Sequence, residues 1–210
     1  MIRVLVADDH AVVRRGIRQI LHETEDIVVA GEASSAAELW SMALEERFHC
    51  VILDVNLPGR SGLELLTDLK RQKPELPVII LTVYSEEQYA VRALKSGASG
   101  FLTKESAPDK LIEAIRKVVQ GGRFITAEVA ERLASSVVRG AEGPPHEALT
   151  DREFQILKMI GSGKTVSQIG RELSLSVKTI STHRTRILKK MSLKTNSELT
   201  HYAIRNHLVE

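Results

Sequence analysis

The chain has 210 residues, 43% hydrophobic and 27% charged, with a formal net charge of +2. That length suits two modest domains. With no run of about 18 apolar residues and no basic leader ahead of an apolar segment, neither a membrane span nor a secretion signal is expected, and a cytoplasmic location is. The charge is uneven: residues 1–125 hold 16 Lys and Arg against 18 Asp and Glu, residues 126–145 hold 2 against 3, and residues 146–210 hold 11 against 6. Only the last part is expected to meet a polyanion.

In chain order, "IRVLVA" (2–7), "IVVAG" (27–31), "VILD" (51–54), "PVIILT" (77–82) and "GFLT" (100–103) read as strands. Between them Ser35-Ala-Ala-Glu38, Ser61-Gly-Leu-Glu64 and Ser85-Glu-Glu-Gln88 match capping boxes, and Pro108 suits the first turn of a fifth helix. Five strands alternating with five helices predict right-handed crossovers and a parallel sheet covered on both faces, a doubly wound α/β fold. Cys50 is the only cysteine and is expected to be a buried small hydrophobe, and Trp40 a packing residue. The segment "RGAEGPPHEA" (139–148), with two Gly and two Pro, reads as a linker.

Beyond it, Thr150-Asp-Arg-Glu153 opens a helix with Phe154, Leu157 and Ile160 at helical spacing. A short helix over 166–173, a three-residue turn and a longer helix over 177–191 capped by Ser176 have helix-turn-helix spacing. On the longer helix Val177, Ile180, Ile187, Leu188 and Met191 form a stripe expected to be buried, while Lys178, Ser181, Thr182, Thr185 and Lys189 share another face. Residues 177–191 contain five Lys and Arg and no acid, which suits a helix lying against phosphates with small polar side chains toward base edges.

In a doubly wound sheet, sites form beyond the carboxyl ends of the strands. This chain places Asp8 and Asp9 after the first strand, Asp54 after the third, Thr82 after the fourth and Lys104 after the fifth. Three converging carboxylates repel one another unless a cation joins them, and hard oxygen ligands favour Mg²⁺ or Mn²⁺. A lysine and a threonine beside that cation suit an anion. A phosphoryl group meets both demands, with Asp54 as the nucleophile that forms an acyl phosphate. His10 is expected to orient the loop.

The segments "VLVADDH", "VILDVNLPGRSG", "VIILT" and "GASGFLTK" resemble a two-component receiver domain over roughly residues 1–120. That resemblance implies Asp54 as phosphoacceptor, with Mg²⁺ bound by Asp9, Asp54 and the backbone carbonyl of Asn56, and by Asp8 directly or through water. It also implies that Thr82 and Lys104 contact the phosphate. The aromatic switch position is Phe101, able to work by packing but lacking the phenol of the more usual Tyr. Where many receivers carry Pro after the Lys, this chain has Glu105.

The "LTDRE" start and the spacing of residues through Lys190 resemble the LuxR-type domain of the NarL/FixJ response regulators over residues 149 to about 207. The DNA contacts this implies are Lys178, Thr179, Ser181, Thr182, Arg184, Thr185 and Lys189; Ser181, Thr182 and Thr185 match positions that reach the major groove. The final helix, "SELTHYAIRNHL", would supply a dimer surface. Gly170, where the family more often has Ala, is expected to loosen the first helix of the pair by up to ~1 kcal/mol.

The expected architecture is α/β plus all-α. A (βα)5 receiver (1–120) is joined by a linker with a connecting helix (121–148) to a four-helix helix-turn-helix DNA-binding domain (149–210). The expected function is a phosphorylation-controlled transcriptional regulator, not an enzyme. Its partners would be double-stranded DNA, a sensor histidine kinase, a second copy of itself and RNA polymerase, with no membrane. One rival is a phosphorylation-independent DNA binder whose receiver only dimerises. Another is a Mg²⁺-dependent aspartyl phosphatase, which needs an acid two residues after the nucleophile where this chain has Asn56.

Overall fold

The computed structural model describes residues 1–58, 60–83, 86–127, 129–131, 133–134 and 144–209, with the backbone alone for residues 86–88. They form two compact units, Met1–Ala134 and Ser135–Glu210. The expected capping box at Ser85 and linker residues 139–143 lie outside the described residues. Among the described residues no helix is long and apolar enough to cross a membrane.

In the first unit, strands β1 (Ile2–Ala7), β2 (Ile27–Ala33), β3 (Cys50–Asp54), β4 (Val78–Thr82) and β5 (Gly100–Thr103) alternate with helices α1 (Ala11–His22), α2 (Ala36–Glu45), α3 (Gly62–Gln72), α4 (Glu86–Lys95) and α5 (Ala107–Val119). All strand pairs are parallel, in the order β2-β1-β3-β4-β5. Every residue of β3 and β4 is buried because helices cover both faces. With side chains alternating at period 2, Val4, Val6, Cys50, Ile52, Ile79, Leu81 and Leu102 pack with Ile17 and Leu21 of α1 and Leu111, Ile115 and Val118 of α5. Their neighbours Leu5, Val51, Leu53, Ile80 and Phe101 are buried too, as are Leu39, Leu63, Leu66 and Leu69 of α2 and α3. Cys50 is fully buried, and burial pushes its thiol up to about 12, so it is an inert core residue. Trp40 is half-buried.

Local chemistry sets the helix starts, in two different ways. Ser35 caps α2 by accepting from the Glu38 N–H at 3.3 Å, while the Glu38 carboxylate accepts from the N–H and hydroxyl of Ser34, one residue upstream of the expected box. Ser61 forms no side-chain cap, against expectation. Its side chain is buried, and the main chain fixes α3 instead: the Gly62 N–H donates to the Val55 carbonyl at 2.9 Å. Pro108 sits in the first turn of α5.

The first unit continues past α5. Phe124 bridges to Gly100, and the Phe101 N–H donates to the Phe124 carbonyl at 3.1 Å, so this segment covers the outer edge of β5. Residues 127, 129–131 and 133–134 are helical, within the stretch where a connecting helix is expected.

The second unit holds a 3₁₀ turn (Pro145–Ala148) and helices α6 (Asp151–Gly161), α7 (Val166–Glu172), α8 (Val177–Lys190) and α9 (Asn196–Arg205). Thr150 and Glu153 form the expected capping box, Thr165 and Gln168 form a second, and Ser176 caps α8 by accepting from the Thr179 N–H at 3.0 Å. Ile156, Leu157, Ile169, Ile180, Ile187, Leu199 and Ala203 make the core. Gly170 does more than loosen α7. A Cβ there would lie 2.8 Å from the Leu175 carbonyl oxygen, so glycine lets the turn close onto the helix, where the Leu175 N–H donates to the Gly170 carbonyl at 2.8 Å.

Candidate functional site

The sheet order reverses between β1 and β3, and the expected set gathers at the carboxyl ends around that point. Asp8 and Asp54 are 1% and 2% exposed, the first just after β1 and the second closing β3. Lys104 extends from the end of β5 to both: its Nζ donates to Asp54 Oδ2 at 2.8 Å and lies 2.6 Å from Asp8 Oδ2. Its main-chain N–H donates to the Thr82 carbonyl at 2.8 Å, which ties the ends of β4 and β5 together. Thr82 itself is fully buried, and Phe101 is buried on β5 opposite Ile80.

The remaining carboxylate oxygens are held by the loops. Asp54 Oδ1 accepts from the Asn56 N–H at 3.3 Å, and Asp8 Oδ1 accepts from the His10 N–H at 2.8 Å. His10 Nδ1 stands 2.6 Å from Asp9 Oδ1, so His10 meets the acidic loop with both backbone and ring. Sequence reading missed Arg14. Its Nη1 donates to the Asp8 carbonyl at 2.7 Å and its Nε to Glu32 at 3.2 Å, which fastens the Asp8 backbone to α1 and the end of β2. An arginine six residues after an aspartate gives no sequence signal for this contact, because both Asp8 and Glu32 come to it through the sheet.

Burial pushes the Asp54 carboxyl above its ordinary range; the charge and hydrogen bond of Lys104 pull it back, and Asp8 pushes it up again. Desolvation opposes the Lys104 charge, but Asp54 and Asp8 outweigh it and raise the lysine pKa. The result is a poorly hydrated carboxylate beside a fixed ammonium. One lysine cannot balance three carboxylates, and candidate ligand atoms of Asp8, Asp9, His10 and Asp54 lie within 4.8 Å of one another. Such an oxygen-rich cluster fits a hard divalent cation such as Mg²⁺.

On α8 the side chains of Lys178, Ser181, Thr182, Thr185, Arg186 and Lys189 are exposed. Among the described residues Lys178, Arg186 and Lys189 make no ion pair. The other cations of the helix are engaged: Arg184 Nε donates to Asn196 Oδ1, and Lys190 Nζ lies 2.6 Å from the buried Glu153 carboxylate. The Thr179 hydroxyl bonds that of Ser176 at 2.8 Å. The apolar stripe needs one correction. Ile180, Ile187 and Met191 are buried and Leu188 half-buried, but Val177 is 51% exposed. Val177 is the first residue of α8, ahead of Ile180, where cover begins; helical spacing identifies a face without saying where its packing partner ends.

A buried aspartate at the switch point of a (βα)5 sheet and a helix-turn-helix with an acid-free second helix define a two-part signalling regulator. Residues 4–116 match the family described as "Response regulator receiver domain", and residues 147–203 match "Bacterial regulatory proteins, luxR family". The chain is 39% identical to response regulator GacA of Pseudomonas protegens over 210 residues, covering 100% of this chain and 99% of GacA. It is 37% identical to response regulator UvrY of Escherichia coli K12 over 209 residues, covering 99% and 96%. It also resembles RcsB of Salmonella enterica serovar Typhimurium, solved bound to promoter rprA in the presence of phosphomimetic BeF3⁻. For that structure the TM-score is 0.64 and the identity 27%, with 96% and 97% of the two chains covered. This protein therefore belongs to the NarL/FixJ family of two-component response regulators, whose members are DNA-binding transcription regulators.

Proposed function

We propose that Asp54 accepts a phosphoryl group from a phosphohistidine of a sensor kinase, and that this modification raises the affinity of α8 for duplex DNA. The observation that supports it most is Lys104, whose Nζ lies 2.8 Å from Asp54 and 2.6 Å from Asp8. An Asp54 oxygen attacks phosphorus, the P–N bond of the donor breaks, and its electron pair leaves with the imidazole. Mg²⁺ or Mn²⁺, held by Asp8, Asp9, Asp54 and the Asn56 carbonyl, supplies charge neutralisation when bound. Lys104 and the Thr82 hydroxyl hold the transferred oxygens, and Lys104 exchanges its contact with Asp54 for one with the phosphoryl group. Movement at Thr82 is passed to Phe101 by packing.

DNA is met by Lys178, Thr179, Ser181, Thr182, Arg184, Thr185 and Lys189, and two copies of the chain bind paired half-sites in the cytoplasm, where RNA polymerase is a further partner. The domains are taken as 1–120, 121–148 and 149–210. The protein is not a turnover enzyme: with Asn56 two residues after Asp54, no acid stands where an aspartyl phosphatase needs one, and the phosphoryl group leaves only by slow hydrolysis.

Fluorescence anisotropy of the full chain on labelled duplex, before and after treatment with a small phosphodonor and Mg²⁺, tests this reading. Phosphorylation should tighten binding, and the logarithm of affinity should fall linearly with that of salt, by about 0.9 per phosphate contacted. Identical affinity with and without confirmed phosphorylation would instead favour the phosphorylation-independent binder.

A further inference from the structure

Helix α8 carries Val177, Ser181, Thr185, Lys178, Lys189 and Thr182, in angular order at about 100° per residue, on an arc of about 140°, with the exposed Arg186 about 40° beyond Thr182. Two features of that arc narrow what it can recognise. First, no Arg, Asn or Gln, the side chains whose paired groups read guanine and adenine in the major groove, lies within it; the exposed Arg186 sits at its rim beside Thr182. Arg184 is off the arc and bonded to Asn196, and Lys190 is held by Glu153.

Second, the threonines are turned in a particular way. Thr182 Oγ1 donates to the Lys178 carbonyl at 3.0 Å and Thr185 Oγ1 donates to the Ser181 carbonyl at 3.0 Å. Each hydroxyl proton is thus engaged by the helix backbone, and the methyl group of each side chain is turned away from that carbonyl. With Val177 51% exposed at the edge of the same arc, the helix presents three methyl-bearing side chains, those of Thr182 and Thr185 lying between Lys178 and Lys189 along its axis. The one apolar feature among the four base edges of the major groove is the 5-methyl group of thymine.

We propose that α8 discriminates among base pairs by apolar contact with thymine methyl groups, with Thr182 and Thr185 as the specificity-determining residues and Val177 as a supporting one. This rests on the reading that α8 enters the major groove. Lys178 and Lys189 then serve the flanking phosphates, which would favour binding without choosing a sequence. The target would carry T·A pairs at the positions facing residues 182 and 185.

The test uses the phosphorylated full-length protein and a duplex enriched from a random-sequence pool. Thymines in the enriched site are replaced one at a time by uracil, which keeps the O4 acceptor and the base pairing and removes only the methyl. Binding should weaken about three- to fivefold at each contacted position, the worth of one buried methyl. Thr182→Ser and Thr185→Ser keep the hydroxyl and remove the protein's methyl. Each should cost a similar factor on thymine duplex, and serine with uracil together should cost no more than either alone. Unchanged affinity on uracil duplex would overturn the proposal while leaving DNA binding intact, and so would a serine loss that simply multiplies with the uracil loss. Failure to bind any duplex would overturn the major-groove reading beneath it.

Discussion

Gly62 has no reactive group, yet the position of Asp54 depends on it. A Cβ at residue 62 would lie 2.3 Å from the Asp54 carbonyl oxygen and 2.9 Å from Val55 Cα, and backbone cannot yield as a flexible side chain can. Gly62→Ala should therefore displace the end of β3, destabilise the receiver by about 1–3 kcal/mol and slow phosphorylation of Asp54; denaturant unfolding and a timed phosphodonor assay would read both. Lys158, in α6, is a residue of the opposite kind, with burial pushing its ammonium down from 10.5 to about 8. Since the fold disfavours its charged form, the penalty is complete below pH 8 and is relieved as pH rises from 8 to 10.5. It is at most about 3 kcal/mol and is reduced by solvent screening, because the side chain is only half-buried. Relative to Lys158→Met, the wild-type second unit should therefore gain stability as pH rises from 8 to 10.5; identical pH profiles of the two in denaturant unfolding would show that burial does not depress this ammonium. At this scale the strand-end residues Asp8, Asp54, Thr82 and Lys104 were legible, because a parallel sheet fixes where a residue after each strand must go. Gly62, Arg14 and Lys158 were not, since close approach and burial depend on neighbours distant in sequence.

Among the elements, α8 shows how one charge count covers two physical roles. Lys189 is exposed, whereas Lys190 reaches the Glu153 carboxylate at 2.6 Å and joins the end of α8 to the capping box of α6. Desolvation opposes the Glu153 charge, but the Lys190 hydrogen bond and the Thr150 N–H outweigh it and hold the carboxyl below its ordinary 4.5. A depressed carboxylate gives stability that is present above the unfolded pKa and is lost as pH falls through the folded value, so this tie should fail only in acid below about pH 4.5. Lys190→Met should destabilise the second unit by about 1–3 kcal/mol while removing little DNA affinity, since that ammonium already has a partner. Lys189→Met should do the reverse, leaving the melting temperature nearly constant and lowering the salt dependence of DNA binding by about one phosphate contact. Equal effects of the two variants would refute the distinction. Spacing alone identified α8, its Ser176 cap and its buried Ile180, Ile187 and Met191, because helical period and capping are local. It could not tell that Val177 escapes cover, that Ser61 leaves its helix start to the backbone, or that Gly170 admits the turn, because each outcome is set by what packs against the element.

For the whole molecule, the near-neutral first unit and basic second unit divide the chemistry: one holds a buried carboxylate beside a fixed ammonium, and the other presents exposed lysines on an acid-free helix face. The two units act together only if Asp54 is a phosphoacceptor. Without that step, Lys104 is only a structural counter-ion and the receiver only a scaffold. The most direct measurement is the intact mass of the full chain after incubation with a small phosphodonor and Mg²⁺, quenched rapidly, alongside Asp54→Asn and an EDTA control. One added phosphoryl group is expected on the wild-type chain and none in either control. No adduct on a folded wild-type protein, or an adduct that persists in Asp54→Asn, would contradict that role for Asp54.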